Sequence, residues 1–449
     1  MNKQLTISII VLIWLSLSGC SENSLSSLIE SGELVVLTRN APTTWYEGRE
    51  GTAGPEHELI TSFADEHGLK VTYKVLGSID EILDAIKDGQ GHIAAAGLTN
   101  TTQRNIDGII FGPGYQQVQQ QVVCRRNNGK IPKSAKELVG VQLTIIESSS
   151  YEETLTTLKL QNPLLSWNAV TDTSTEQLLE KVWKREIDCT LADSTIVNIN
   201  RRYYPELIVA FNIGEPQTMS WVLSPAWKGL KPDLSTWFRR IKDSGQLAEI
   251  YERYYGHVEI FDYVDMVKFS QRIKTRLPKY REIFEAEAAK QDIPWTLLSA
   301  QAYQESHWLA NARSPTGVRG LMMLTLTTAK SLGVKNRLDP NQSIVGGAKY
   351  LRKMIKRIPE SVIGEDRLWY ALASYNVGYG HIKDARVLAT RLNKNPDRWV
   401  ELKEVLPLLT QKKYYKTLRH GYARGTEPVR YVQRIRDYRQ VLDRSLLSN

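Results

Sequence analysis

The chain reads as two unlike domains: a two-lobed α/β domain over residues 30–257 and an all-α domain over residues 270–449. Three observations predict this division. From Gly32 onward, short apolar runs alternate with helix-like segments closed by glycine, the rhythm of strand–helix units on a largely parallel sheet. From Ser270 that rhythm stops and the apolar residues recur at helical spacing. Charge divides with the pattern: residues 271–449 hold 33 Lys and Arg against 16 Asp and Glu, whereas the remainder holds 25 against 33. A length of 449 residues suits two or three domains, and 42% hydrophobic with 24% charged content is globular rather than disordered.

In the first domain, ELVVLT, LKVTYKVL and HIAAAGL read as strands. Between them ELITSFADEHG and SIDEILDAIKDG read as helices ended by Gly68 and Gly89. A fresh series begins near Ile131 and predicts a second lobe. The chain returns to the first lobe near Met219–Val222. In the second domain the helical segments run from QRIKTRLPKYREIFEAEAAKQ to PVRYVQRIRDYRQVLDRSLL, with no internal repeat. Around Gly256–Phe269 no Pro- or Ser-rich linker intervenes, so the two domains are expected to abut.

The first twenty residues, MNKQLTISIIVLIWLSLSGC, combine Lys3, an apolar run from Leu5 to Leu17 and then small residues. That is the form of a secretory signal, too short to span a membrane comfortably. Leu17-Ser18-Gly19-Cys20 resembles a bacterial lipobox, which implies lipidation of Cys20; an ordinary signal cleaved nearby is the alternative. Ser21 rather than Asp after Cys20 resembles the outer-membrane sorting pattern, so the expected location is the periplasmic face of the outer membrane. Cys124 and Cys189 are the other two cysteines, and both lie in apolar strand-like runs. Buried free thiols are at least as well supported there as a disulfide. No Cys/His spacing suggests a metal site, and none of the chemistry below calls for a cofactor.

The basic excess of the second domain favours an anionic polymer or surface. Nucleic acid would suit that charge, but export argues against it; a merely solvated surface is the alternative.

Glu305 is the one acidic residue in the stretch from Ala300 to Thr325. Asp292 is placed to cap its helix and Pro294 suits the first turn. Leu298, Ala302 and Glu305 fall at i, i+4 and i+7, so the carboxyl shares an apolar face. Desolvation there raises its pKa toward that of a general acid. The bland reading is a helix-end Glu paired with Arg313 or Arg319.

Glu305-Ser306, Ser314-Pro315-Thr316-Gly317, Gly320-Leu321-Met322-Met323 and Ser374-Tyr375-Asn376-Val377-Gly378 follow one another in order. This ordered set resembles the goose-lysozyme-like family of lytic murein transglycosylases, over a segment of about 180 residues. The resemblance implies a lysozyme-like fold and peptidoglycan glycan strands as substrate, with Glu305 as catalytic residue. It also implies a cleft built from Ser306, Gly320, Met322, Met323, Tyr375, Asn376 and Tyr431; Ser306 could instead cap the helix end, and core packing is the alternative for Met322, Met323 and Tyr431. Many relatives carry Gln where this chain has Met323, so one polar sugar contact is in doubt. The next acid after Glu305 is Asp339, 34 positions later. Most glycosidases place two carboxylates about the bond; here a single-acid route follows more naturally. Glu305 protonates the glycosidic oxygen, then takes the proton of the sugar's C6 hydroxyl as a 1,6-anhydro ring closes. The rivals are a water-using muramidase on the same fold, and a solute or muropeptide sensor whose helical domain only holds murein.

Gly97-Leu98-Thr99-Asn100-Thr101-Thr102-Gln103-Arg104, followed by Phe111 and Tyr115, resembles the carboxylate-binding motif of family 3 extracellular solute-binding proteins. The resemblance covers about Gly32–Gly256 and implies the periplasmic-binding-protein fold. Arg104 would pair bidentately with a ligand carboxylate and Thr99 would donate a hydroxyl. Asp193 would take the ammonium, Ser148 and Ser149 would add donors at a helix N-terminus, and Trp45 with Tyr46 would wall the cleft. Gly97 stands where that family offers a hydroxyl, a departure that weighs against amino-acid affinity. The residue-level alternatives are a surface Arg104 and an Asp193 that caps the helix after it. An amino acid or a muropeptide is the expected ligand of a non-catalytic domain, whose hinge closure could control the second one; a module that merely packs as structure is the alternative.

Overall fold

The structure, a computed structural model, describes residues 23–48, 51–127, 129, 131–171, 173–255, 263–314 and 317–447. Cys20 and its lipobox, the junction at 256–262, and Pro315 with Thr316 lie outside the described residues. Among the described residues no helix is long and apolar enough to cross a membrane.

Strands β1 (Glu33–Thr38), β2 (Lys70–Val75), β3 (Ile93–Ala94), β4 (Thr99–Asn100) and β5 (Ile110–Val118) belong to the first lobe. β1 lies parallel to β2 and β3, as strand–helix alternation requires. The chain then crosses to the second lobe through Gln119 and continues as β6 (Gln120–Arg125). There follow β7 (Thr144–Ile146), β8 (Asn168–Val170), β9 (Cys189–Asp193) and β10 (Leu207–Asn212), before β11 (Gln217–Leu223) returns to the first sheet. The return at Met219–Val222 is where the sequence puts it. β11 runs antiparallel to β3, β4 and β5, and the second lobe's β9-β6-β10 sheet is antiparallel too. The expectation of a largely parallel sheet therefore holds for β1–β3 and for β7–β8 only. Strands that cross between lobes enter each sheet against the grain of the local strand–helix units.

Gln119 is among the side chains that pin the crossing. Gln119 Nε2 donates to Ile213 O at 3.0 Å and Gly214 O at 3.1 Å, joining the outgoing and returning strands. Within β6 and β9, Cys124 and Cys189 are register partners with Cα atoms 4.3 Å apart, and they form a disulfide. The free-thiol reading is thus corrected: antiparallel pairing sets the two cysteines opposite one another, a register that no local pattern reveals.

The first lobe packs around Val36, Phe63, Trp221, Trp237 and Phe238. Burying each such side chain contributes about 1.5–3 kcal/mol. Inside this core Glu56 accepts from Trp221 Nε1 (2.6 Å), from the Tyr115 hydroxyl and from the Gly97 N–H (3.2 Å). Burial pushes its carboxyl above the usual range. Tyr115 therefore serves to hold Glu56, and Glu56 in turn fixes the backbone that opens the Gly97–Arg104 motif.

The second part is helical from α6 (Tyr263–Thr275), which begins ahead of Ser270, to α11 (Thr426–Leu447) (α1 to α5 belong to the α/β part and are given as they arise). Its core gathers Phe269, Phe284, Tyr303, Trp308, Tyr370 and Trp399. The two parts abut, as the missing linker predicts. Arg436 on α11 donates to Glu252 Oε1 (2.8 Å) and to the Glu252 and Arg253 carbonyls, and Lys403 Nζ reaches Glu252 Oε2 at 2.6 Å. One residue on, Asp437 lies 3.5 Å from Arg202 of the second lobe, and Arg444 stacks over Tyr203 at 4.0 Å. A single helix thus touches both lobes.

Candidate active site

Glu305 lies on α8 (Trp295–Ser306), which follows α7 (Arg281–Gln291). Asp292 does not cap α8. It closes α7 in the left-handed conformation (φ 51°), its carboxylate lies 3.4 Å from Arg352, and Pro294 occupies the N-cap position. The Asp–Ile–Pro spacing leaves too little chain for one residue to serve both ends. Leu298 and Ala302 are fully buried, and Glu305 sits in the last turn, half-buried. Its Oε1 accepts from the Tyr431 hydroxyl at 2.5 Å, and Tyr431 Oη in turn accepts from Gln301 Nε2 at 3.1 Å. Gln301 lies one turn before Glu305 on the same helix. Burial raises the Glu305 pKa to about 7, with the Tyr431 hydrogen bond pulling the other way. Among the described residues, the pairing of Glu305 with Arg313 or Arg319 is not found; those two arginines instead face each other in a short antiparallel bridge.

Around the acid the turn 317–324 is shaped by Gly320 (φ 84°), where a Cβ would stand 1.8 Å from the Arg337 carbonyl oxygen. No other residue fits there. Met322 is fully buried: its side chain packs against Gly347, its N–H donates to Ser343 Oγ (3.1 Å), and its carbonyl accepts from Tyr375 Oη (2.8 Å). It is core rather than cleft floor, because helix α9 (Pro340–Arg357) presents Gly347, whose missing side chain admits it. Met323, with φ 44°, stays partly accessible. Ser306 is also turned inward. Its hydroxyl donates to Ala302 O at 3.0 Å, satisfying a helix-end carbonyl instead of facing a sugar. Tyr375, on α10 (Asp366–Val377), braces the turn, while Asn376 beside it is exposed.

In the α/β part, Arg104 on α1 (Thr102–Ile106) is buried, which rules out a surface arginine. Its Nη1 donates to Thr99 O at 3.0 Å, and its Nη2 has no hydrogen-bond partner among the described residues. Thr99 is buried beneath it. Asp193 holds the N-cap position of α4 (Ser194–Arg201) without a side-chain cap bond, so the capping alternative fails and its Oδ1 is unpartnered. Burial lifts its pKa to about 6. Trp45 also keeps an unpartnered Nε1. The two serines are already engaged: Ser149 Oγ donates to Ile146 O (2.6 Å) and caps α2 (Ser150–Lys159), while the Ser148 N–H donates to Glu152 Oε2 (2.8 Å). Gln301 is the residue that sequence reasoning missed; its position four residues before Glu305 was the available signal.

A buried carboxylic acid near neutrality on a lysozyme-like helical domain, joined to a two-lobed binding fold, defines the class of murein-cleaving transglycosylases with a solute-binding module. The transglycosylase SLT domain family matches residues 282–397, and the bacterial extracellular solute-binding proteins, family 3, match residues 34–257. A membrane-bound lytic murein transglycosylase F from Maricaulis maris is 45% identical over 433 residues, 94% of each chain. A membrane-bound lytic murein transglycosylase F 2 from Alkalilimnicola ehrlichii is 46% identical over 414 residues, 92% of each. A solved solute receptor for L-cysteine from Neisseria gonorrhoeae is 18% identical, covering 53% of this chain and 95% of its own, with a TM-score of 0.47. The chain belongs to the membrane-bound lytic murein transglycosylase F family and is an enzyme of the lytic transglycosylase class.

Proposed function

We propose that the chain cleaves the MurNAc–GlcNAc β-1,4 bond of peptidoglycan without water, leaving 1,6-anhydro-MurNAc ends, with Glu305 as the single general acid and base. The observation that carries this is the Glu305 carboxyl, protonated up to about pH 7 and held by Tyr431. In its first role the acid gives its proton to the glycosidic oxygen, and the substrate's N-acetyl group stabilises the oxocarbenium charge. In its second the new carboxylate, stabilised by the Tyr431 hydroxyl, takes the C6 hydroxyl proton. The next acid in the chain, Asp339, is occupied as the N-cap of α9, accepting from Gln342 N at 2.8 Å. That supports a one-carboxylate route over a hydrolytic muramidase. Gly320 and Met323 border the site and Asn376 is open to a sugar; Tyr375 positions the turn.

The α/β domain, on this reading, is non-catalytic and regulatory. It takes an amino acid or the peptide part of a muropeptide at Arg104, Thr99, Asp193 and Trp45, and α11 relays lobe closure toward Tyr431. Export, lipidation at Cys20 and a station on the periplasmic face of the outer membrane complete the proposal, supported by the form of the first twenty residues.

Mass spectrometry of products from purified murein tests it, using the wild type and Glu305→Gln. Anhydro-muropeptides from the wild type alone are expected. Hydrated reducing ends would establish a muramidase instead, and no product from either protein would leave a binding protein.

A further inference from the structure

The cleft between the lobes holds more acid than a simple amino acid can satisfy. Two charge pairs span it: Arg39 Nη1 to Glu176 Oε2 at 3.8 Å, and Arg104 Nε to Glu153 Oε1 at 3.6 Å. Arg39 follows β1 directly and Arg104 lies on α1, both in the first lobe. Glu153 on α2 and Glu176 at the start of α3 (Thr175–Lys184) belong to the second. Asp193, whose field reaches Arg39, Arg104 and Glu176, completes the group. Three carboxylates therefore face two guanidiniums, and Asp80 adds to the negative field at Arg104.

The hydrogen-bond accounting is sharper than the charge count. Arg104 and Asp193 are 5% and 4% exposed, and each keeps an unpartnered buried atom, Nη2 and Oδ1. Both oxygens of Glu176 are buried with no hydrogen-bond donor, since Arg39 stands too far off and spends its Nε on Ala96 O at 3.2 Å. Buried polar groups left without partners are unfavourable, so a ligand must supply what is missing. A zwitterion answers Arg104 with its carboxylate and Asp193 with its ammonium. Nothing in it answers Glu176.

We propose that the cleft binds an α-amino acid whose side chain ends in a second cationic group, and that Glu176 selects it. This rests on the reading of the cleft as an amino-acid site. The second cation donates to the two Glu176 oxygens and balances the excess negative charge, and Arg39 stays beside them as counter-charge.

Isothermal titration calorimetry on the purified chain tests this with L-lysine, L-arginine, L-leucine and L-glutamate. L-Lysine and L-arginine are expected to bind at least tenfold more tightly than L-leucine, with L-glutamate weakest. Glu176→Gln should abolish that preference, bringing L-lysine and L-arginine to the level of L-leucine. L-Leucine or L-glutamate binding as tightly as L-lysine to the wild type would overturn selection by Glu176 while leaving the amino-acid site intact. So would Glu176→Gln retaining the preference. No heat with any of the four would overturn both. The wild-type series alone decides the matter should the variant fail to fold.

Discussion

Tyr431 donates its phenolic hydrogen bond to Glu305 across 126 positions of sequence, at 2.5 Å. The direction of that bond is set by Gln301. Because its amide N–H donates to the phenolic oxygen at 3.1 Å, the phenolic hydrogen is free to point at the carboxylate. A donor on Glu305 favours the ionised form, so it opposes the rise that burial causes. Tyr431→Phe removes it. The alkaline limb of kcat/KM, near pH 7 in the wild type, should then move to higher pH, while kcat falls about 10- to 100-fold from loss of a charge-assisted bond of about 1.5–3 kcal/mol. An unshifted limb with full activity would show that Tyr431 only packs.

Gln301→Leu keeps the phenol and the fully buried side-chain volume but releases the rotor. A smaller loss, about threefold to tenfold in kcat with KM little changed, is expected. Adding Gln301→Leu to Tyr431→Phe should cost almost nothing more, because both act through one bond. Additive losses in that double-variant cycle would refute the relay.

The Glu305 carboxyl also couples stability to pH. Its folded-state pKa, about 7, stands above the ordinary 4.5, so the folded chain holds this proton more tightly than the unfolded one. Its contribution is fully present below pH 4.5 and is lost as pH rises through 7. Discounted for the solvent-facing edge of the side chain, the loss is about 2 kcal/mol. Glu305→Gln should therefore be more stable than the wild type at pH 8, with the advantage vanishing at pH 4. Denaturant titrations at the two pH values measure it.

For the disulfide, reduction or the Cys124→Ala/Cys189→Ala pair should destabilise the α/β part. The 65-residue separation sets an upper bound of about 4 kcal/mol in the chain-entropy account. Murein cleavage should survive, since neither cysteine approaches α8. Loss of ligand binding in the cleft together with a lowered midpoint would place the effect on the second lobe, where β6 and β9 carry the bond.

Much of this was legible because it is local. Gly68 and Gly89 ended their helices, and Glu305 shared a face with Leu298 and Ala302 as the 3.6-residue period requires. The motif order also kept Gly320 next to its turn. What was not legible depends on distant pairing. The Cys124–Cys189 register, the choice of core over cleft for Met322, and the meeting of Tyr431 with Glu305 are all set by which surfaces pack together. Asp292 shows the local limit: its residue type suits either helix end, and only the left-handed backbone decided which.

Arg436 carries the last expectation. It is 4% exposed and Glu252, its partner from α5 (Gln246–Tyr254), is 7% exposed, so the pair is shut from water at the junction of the two parts. Arg436→Met keeps the apolar bulk and removes the donors to Glu252 and to two backbone carbonyls. Lys403 still neutralises one carboxylate oxygen, which limits the damage. A loss of about 2–4 kcal/mol is expected, below that of a fully unpaired buried acid. Since Arg436 and Tyr431 share α11 and stand little more than one turn apart, the loss should reach the active site as well. Calorimetry should resolve separate unfolding of the α/β and helical parts at lower temperature, and kcat should change in the same variant. A variant with altered unfolding but wild-type kcat and pH profile would mean that α11 joins the domains mechanically without informing Glu305.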